Sequence, residues 1–291
     1  MVRTNWSYSR SLLFASCPRA FYFDVHRHNL GEGGNRIVTD GHSLRTLVGL
    51  AVHRSIELEI ERWASQESID VQRAQNHAES FLSEIWSDAP HRIIEIANGM
   101  EVESDTPKRL VHRSKRLLRD FFRLSWPHFS ALDYRVHERS SRFRVDGREI
   151  SVRIDFCAED SARRLVIADW KTGSVPAFAP GALQLGIYGL WAHHALKYRV
   201  NQIRTALVNL STSEIVRHDL TSGDLARAKA VAFSELRTWE GLNQVEDFPA
   251  IVEISKCISC PFLGGCPEGR EAVDAASGID SSSLARMTSD E

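Results

Sequence analysis

Apolar residues recur at helical spacing along the first part of the chain, and from Leu132 to Lys171 they recur at every second position. A chain that changes period in this way has to lay helices against a sheet, because neither element buries its apolar side alone. Leu132–Glu138, Arg142–Val145, Ile150–Phe156 and Leu165–Lys171 are expected as strands, with Asp146-Gly147 as a hairpin turn. Helical spacing returns over Ala182–Lys197. A second hairpin is expected over Ile203–Leu210 and Glu214–Leu220, then a helix over Asp224–Leu242. Upstream, Ser7–His28 predicts two short helices meeting at Cys17, with Pro18 starting the second. His42–Trp63 and Val71–Ala97 predict long helices, and Asp105 or Thr106 caps another with Pro107 in its first turn. The expected fold class is α/β: one mixed domain over residues 1–268 with a helical elaboration near 60–130, followed by a Ser/Ala/Asp-rich disordered tail over 269–291.

With 291 residues, 43% of them hydrophobic, the chain can bury a sizeable core. No run approaches the ~18 apolar residues of a membrane span. The opening Met1-Val-Arg-Thr-Asn-Trp-Ser lacks the apolar stretch of a secretory signal, so a cytoplasmic protein without a membrane partner is expected. The net charge of -2 gives no bulk attraction for nucleic acid, so any such attraction has to come from local clustering. G-x4-G-K-[ST] is missing, so the chain has no ATP motor of its own. Gly31-Glu-Gly-Gly34 does not match G-x-G-x-x-G and follows no strand, which argues against a dinucleotide site. H-E-x-x-H and G-x-S-x-G are also missing, so neither a metalloprotease nor a serine hydrolase is supported.

Two of the expected strands carry the polar residues of interest. In Ile150–Phe156 the apolar Ile150, Val152, Ile154 and Phe156 alternate with Ser151, Arg153 and Asp155, so Asp155 lies opposite the apolar row. In Leu165–Gly173, Asp169 and Lys171 are two apart and share a face. Pairing the two strands through the short Glu159–Arg164 connection brings Asp155 alongside Asp169 and Lys171. Two carboxylates converging at a strand end suit a hard divalent cation such as Mg²⁺. Lys171 would then face a metal-bound water or a phosphate oxygen. Glu138 on the preceding strand is a further carboxylate, or an exposed edge charge.

Three of the five cysteines fall within ten residues as Cys257-x2-Cys260-x5-Cys266, with Pro261, Gly264 and Gly265 allowing a tight wrap. Three thiolates leave a tetrahedral metal or a cluster one ligand short, and Cys17 and Cys157 are the candidates for the fourth. Cys157, on the face of Asp155, is read as a buried free thiol. Lys108, Arg109, Arg113, Lys115, Arg116, Arg119 and Arg123 lie within sixteen residues, with Leu110, Leu117, Leu118, Phe121 and Phe122 between them. On a helix this makes an apolar stripe beside a positive face, which is either a solvated surface or a phosphate-backbone contact.

Six motifs in order over residues 9–266 resemble the RecB/AddB-like branch of the PD-(D/E)XK nucleases. Ser9–Phe23, with Cys17-Pro18-Arg19 inside it, looks like the opening motif of that branch, and Val48-Gly49-Leu-Ala-Val-His53 is similar to its early histidine-bearing helix. Arg153-Ile-Asp155 matches the first acidic strand, Asp169-Trp-Lys171-Thr-Gly173 the D/E-x-K strand, and Gln184-Leu-Gly-Ile-Tyr188 the Q-x3-Y helix. The closing cysteine run, with Cys17 upstream, resembles the iron–sulfur version found in AddB and in CRISPR-associated RecB-like exonucleases. Val152 departs from the pattern, standing where the branch commonly has Gly.

The resemblance implies a restriction-endonuclease-like core, a mixed central sheet flanked by helices, with an iron–sulfur cluster joining the two chain ends. It makes Asp155, Asp169 and Lys171 catalytic and assigns His53, Asp155, Asp169 and the Trp170 carbonyl to Mg²⁺ or Mn²⁺. Cys17, Cys257, Cys260 and Cys266 would hold a 4Fe-4S cluster, with zinc as the alternative. Gln184 and Tyr188 would contact DNA phosphate or support the site, beside Arg113, Arg116 and Arg119 as DNA contacts. The implied activity is a metal-dependent deoxyribonuclease, exonuclease before endonuclease, acting on single-stranded ends or flaps in repair, CRISPR adaptation or antiphage defence. A helicase or a CRISPR or defence protein is the implied partner. The rival is a non-catalytic DNA-binding or assembly subunit of a helicase–nuclease complex, which the intact Asp155/Asp169/Lys171 set disfavours.

Overall fold

The computed structural model describes residues 5–26, 38, 40–173 and 179–277, with the side chains of 134–140, 179–182 and 277 outside the description. The Gly31–Gly34 loop, the Glu138 side chain and residues 278–291 therefore lie outside the described residues.

A two-residue strand β1 (Trp6–Ser7) leads directly into α1 (Tyr8–Ser16). Cys17 then breaks the helix in extended conformation, and Pro18 starts α2 (Pro18–His26). Next comes α3 (Leu44–Ala64), capped by the Ser43 hydroxyl, followed by α4 (Val71–Ser87), capped by Asp70. The single helix expected over Val71–Ala97 is instead three: α4, α5 (Ala89–Arg92) and α6 (Ile94–Ala97). Pro90 has no N–H to continue the ladder, and Ile93 is extended and bridges to His42. α7 (Thr106–Asp120) carries the basic stretch and runs on through a π turn at Phe121–Ser125 and a 3-10 turn at Trp126–His128.

The strands are β2 (Asp133–Val145), β3 (Arg148–Glu159), β4 (Leu165–Lys171), β5 (Ile203–Asn209) and β6 (Glu214–Asp219), with α8 (Ala179–His194) between β4 and β5 and α9 (Ser222–Gly241) after β6. β2 is one bulged strand where two were expected, with its register shifting between Tyr134 and Val136. Asp146 and Gly147 both have positive φ, which matches the tight Asp-Gly turn joining β2 to β3. α10 (Ile254–Ile258) carries Cys257. α11 (Pro267–Ser277) replaces the first part of the expected disordered tail, because Val273 is buried against Cys257, Ile258 and Leu263. Among the described residues no helix is long and apolar enough to cross a membrane.

The sheet is mixed, in the order β1-β3-β4-β5-β6, with β2 on the remaining edge of β3. One core layer packs α8, α9 and the aromatic residues of α1 and α2 on it, and includes Trp6, Phe21, Tyr188, Trp191 and Trp239. The other packs α3, α4 and α7 through residues such as Leu47, Ile56, Ile85, Leu118 and Phe121. A strand has only two edges, and β2 takes one along its whole length, so β1 and β4 share the other. β1 pairs at Ile150–Ser151 and β4 at Phe156–Glu159. Between those ladders the edge of β3 is open, and β4 diverges from it beyond Ala168. The sheet therefore has a wedge with Asp155 on one side and Asp169–Lys171 on the other.

Candidate active site

The antiparallel register Phe156↔Ala168 places Asp155 across from Asp169, as the short Glu159–Arg164 connection predicts. Asp155 closes the wedge with its own side chain, because Oδ2 accepts the Trp170 N–H at 2.8 Å. In extended backbone a residue's N–H and C=O leave on the same side, so the Trp170 carbonyl also faces the wedge. The Trp170 ring points the other way, buried among Phe121, Phe129 and Phe156. His53 comes from α3, a helix of the opposite layer, and meets Asp155 where the sheet is open, with Nδ1 3.4 Å from Oδ1.

Asp169 is 3% exposed and sits in a closed polar network. Tyr188 donates its hydroxyl to Oδ1 at 2.7 Å, and Gln184 donates Nε2 to the same oxygen at 2.9 Å and to the Tyr188 hydroxyl at 2.6 Å. The Gln184 Oε1 accepts from Lys171 Nζ at 2.9 Å. Gln184 and Tyr188 reach Asp169 together because they are four apart on one face of α8. Asp169 Oδ2 stands 2.7 Å from Lys171 Nζ as an ion pair, yet among the described residues it has no directed hydrogen bond.

The electrostatics follow from this crowding. Burial raises the Asp155 carboxyl, but His53, the Trp170 N–H and Lys171 outweigh it and hold the group below its ordinary value. Burial and the facing Asp155 charge push Asp169 up, against Lys171 and Tyr188. Burial lowers Lys171, but the two carboxylates outweigh it and keep the ammonium charged. Two carboxylates face each other here, with one ammonium and one imidazole against them. A buried carboxylate oxygen without a directed hydrogen bond, a second carboxylate opposite and a backbone carbonyl between them form a hard-oxygen donor set that fits a divalent cation.

Two contacts around the catalytic strand escaped the sequence reading. Burial raises the hydroxyl of Tyr8, in the first turn of α1, where it feels the charges of Lys171 and Asp169. Only the β1–β3 pairing puts it there, and a two-residue strand has no periodicity to reveal it. Beyond Lys171, the Thr172 carbonyl accepts from Ser211 Oγ at 3.0 Å and from Arg113 Nη2 at 3.4 Å. Gly49 lets α3 come this close, since a Cβ there would stand 3.1 Å from Thr172 Oγ1. Arg113 thus lies beside the wedge, and Arg109 and Arg116 share its helix flank at i, i+4 and i+7 spacing. Arg119 is paired with Asp120 at 3.1 Å and Lys115 with Glu79 at 2.6 Å.

The cysteines form a second centre. Cys17, Cys257, Cys260 and Cys266 line one cavity of ≈ 370 Å³, together with apolar residues that include Leu13, Phe23, Phe262 and Leu263. Burial pushes the Cys260 thiol up to about 12 and also raises Cys257 and Cys266. Cys157 is elsewhere, fully buried in the sheet's core with its thiol pushed up to about 12. Four cysteines lining one cavity offer soft donors of the kind that bind zinc or an iron–sulfur cluster. Among the described residues, no three His, Cys, Asp or Glu side chains stand as a closed metal-binding group at either centre.

A model of the PD-(D/E)XK nuclease superfamily matches residues 5–267. No curated protein matches the chain significantly. Among solved structures, one titled "Crystal structure of SSO0001" covers 88% of this chain and 95% of its own at 13% identity, with a TM-score of 0.29. That overlap is too loose to carry any inference about this chain.

Proposed function

The chain belongs to the PD-(D/E)XK nuclease superfamily, and on that premise we propose that it is a Mg²⁺- or Mn²⁺-dependent deoxyribonuclease of the RecB/AddB-like iron–sulfur branch, cutting single-stranded ends or flaps exonucleolytically. The observation that carries this reading is Asp169, buried opposite Asp155 and held by Tyr188, Gln184 and Lys171.

In this reading Asp155, Asp169, His53 and the Trp170 carbonyl hold the cation. When bound, such an ion lowers the pKa of a water and stabilises charge on the phosphodiester. Lys171 orients the attacking water and offsets negative charge as it develops on the phosphate. Gln184 and Tyr188 are buried and spent on Asp169 and on each other, which favours support of the site over contact with DNA phosphate. Arg113 and Arg116 guide the substrate backbone toward the wedge. Cys17, Cys257, Cys260 and Cys266 hold the 4Fe-4S cluster, or zinc in its place, and so tie the two ends of the domain. Without an ATP-binding motif, the protein would act on strands opened by a helicase or by a CRISPR or defence partner, in the cytoplasm.

The test is incubation of the purified protein with end-labelled single- and double-stranded DNA, with Mg²⁺, Mn²⁺ or EDTA. Metal-dependent release of short products from single strands is expected. Intact DNA with both metals would overturn the assignment.

A further inference from the structure

The cysteine-lined cavity and the carboxylate wedge are joined by a short run of directed contacts that starts at one side chain. Asn98 is the C-cap of α6, and its amide Nδ2 donates to the Ile258 carbonyl at 2.8 Å and to the Cys260 carbonyl at 3.0 Å. An asparagine amide has two N–H donors, and both go to the backbone of the cysteine loop. The same helix carries Glu95, 1% exposed, whose oxygens take the Ser43 hydroxyl at 2.6 Å and the Leu44 N–H at 3.0 Å. Those two groups are the N-cap and first residue of α3, so Glu95 supplies both a hydrogen-bond acceptor and a negative charge where a helix start needs them. His42 locks the junction, donating its N–H to the Arg92 carbonyl at 2.8 Å and accepting from the Ile94 N–H at 3.1 Å.

From Leu44 the helix is rigid and buried through Leu47, Val48, Ala51 and Val52, and it delivers Gly49 against Thr172 and His53 to Asp155. A displacement at its first turn is therefore carried to His53 about 14 Å along the axis. The Val38 N–H, which donates to the Pro261 carbonyl at 3.0 Å, is a second tie between the cysteine loop and the segment before α3.

We infer that Asn98 is a positioning residue: through α6 and Glu95 it aligns the start of α3 with the cysteine loop and so sets His53 against Asp155. The inference rests on the reading of the wedge as a cation site. A residue that acts on a distant site through a packed network typically changes it by about 2–30-fold.

The variant is Asn98→Leu, which keeps the branched shape and removes both donors. Met100→Ala is its control, since Met100 packs against the same loop and donates no side-chain hydrogen bond to it. Mn²⁺ affinity is measured by titration without DNA, alongside iron and zinc content and Tm. Asn98→Leu is expected to keep its cysteine-bound metal while Mn²⁺ affinity falls by about 2–30-fold, and Met100→Ala to keep wild-type Mn²⁺ affinity. Wild-type Mn²⁺ affinity in Asn98→Leu overturns the inference alone. An equal loss in Met100→Ala also overturns it, by reducing the effect to general loosening of the loop. Wild-type protein that binds no Mn²⁺ overturns the cation-site reading and the inference with it. Wild-type protein with neither iron nor zinc overturns only the reading of the cysteines, and the Mn²⁺ titration still decides the role of Asn98.

Discussion

In the wedge, Asp155 and Asp169 are fixed by a strand ladder that needs no ligand: β3 and β4 pair up to Ala168, and the carboxylates follow from register. In the cysteine cavity, the donors come from residue 17 and from residues 257–266 at the other end of the chain, and the walls between them are apolar side chains. The carboxylates already face groups of their own site, Lys171 and His53, whereas burial keeps the thiols of Cys257, Cys260 and Cys266 protonated. A metal entering the wedge replaces contacts the protein already makes. A metal entering the cavity would displace protons and add a further link between distant segments that Arg19 and Glu268 already tie at 3.1 Å. The first site should therefore govern catalysis with little effect on stability, and the second should govern stability.

The largest expected effect is on cleavage. Asp169→Ala or Lys171→Ala should lower the rate by about three orders of magnitude or more, since each deletes several kcal/mol of charge stabilisation. Tm is read on Asp169→Ala, where it should fall little because the variant relieves the repulsion of the facing carboxylates while the ladders remain; Lys171→Ala leaves both carboxylates without their ammonium and should lose stability as well. Near wild-type cleavage in either variant would sink the catalytic assignment, and a large fall in Tm would erase the contrast between the two sites.

Cys17→Ser should do the reverse. Metal–thiolate binding energy is partly folding energy, and each kcal/mol lost lowers Tm by about 2–4 °C in a domain of this size. Iron and zinc analysis of wild type and variant checks the loss. About four irons per chain supports the cluster, and one zinc supports the alternative. Cys157→Ser should leave metal content unchanged. If it is the variant that loses metal, the fourth ligand is Cys157 and the link between the chain ends is wrong.

Gly49→Ala gives a smaller and sharper separation. Alanine favours a helix interior by about 1 kcal/mol over glycine, so Tm should hold or rise. The added methyl meets Thr172 Oγ1 and crowds the end of β4, so cleavage should drop about 10-fold, the scale of an outer-contact effect. Unchanged cleavage would show that the approach of α3 to Thr172 is slack.

The smallest effect expected is on DNA affinity. Reversing Arg113 and Arg116 to Glu should flatten the slope of log affinity against log salt by about 0.7 per lost phosphate contact on a single strand. Arg119→Glu alone should leave it nearly unchanged, because Arg119 is already paired with Asp120. Equal effects from all three would return α7 to a uniformly charged, solvated face.

What was legible in the sequence was set at short range. Alternation put Asp169 and Lys171 on one face, the Glu159–Arg164 turn set the register that brings Asp155 opposite, and four-residue spacing aligned Gln184 with Tyr188. The strand bounds of β4 and the break at Cys17-Pro18 were readable for the same reason. Pro90 was a local signal too, and its missing N–H splits the segment that looked like one helix over Val71–Ala97.

Other features depend on contacts that no spacing encodes. α11 forms over residues first read as tail because Val273 finds the cysteine loop to pack on. Tyr8 reaches the wedge only through β1, and Asn98 reaches Ile258 and Cys260 across some 160 positions of chain. Period and turn chemistry act on each residue's own backbone, so the sequence alone determined the shared face of Asp169 and Lys171 and the candidate carboxylates, but not the break in β3, where Phe156 joins the layer opposite Ile150, Val152 and Ile154. Long-range partners are chosen by which buried donors and apolar faces remain unsatisfied once the elements pack. Only the tertiary structure could therefore decide that Asp169 is held by Tyr188 and Gln184, that Arg113 rather than Arg119 lies beside the wedge, and that the cysteine loop is bonded to the helix that starts α3.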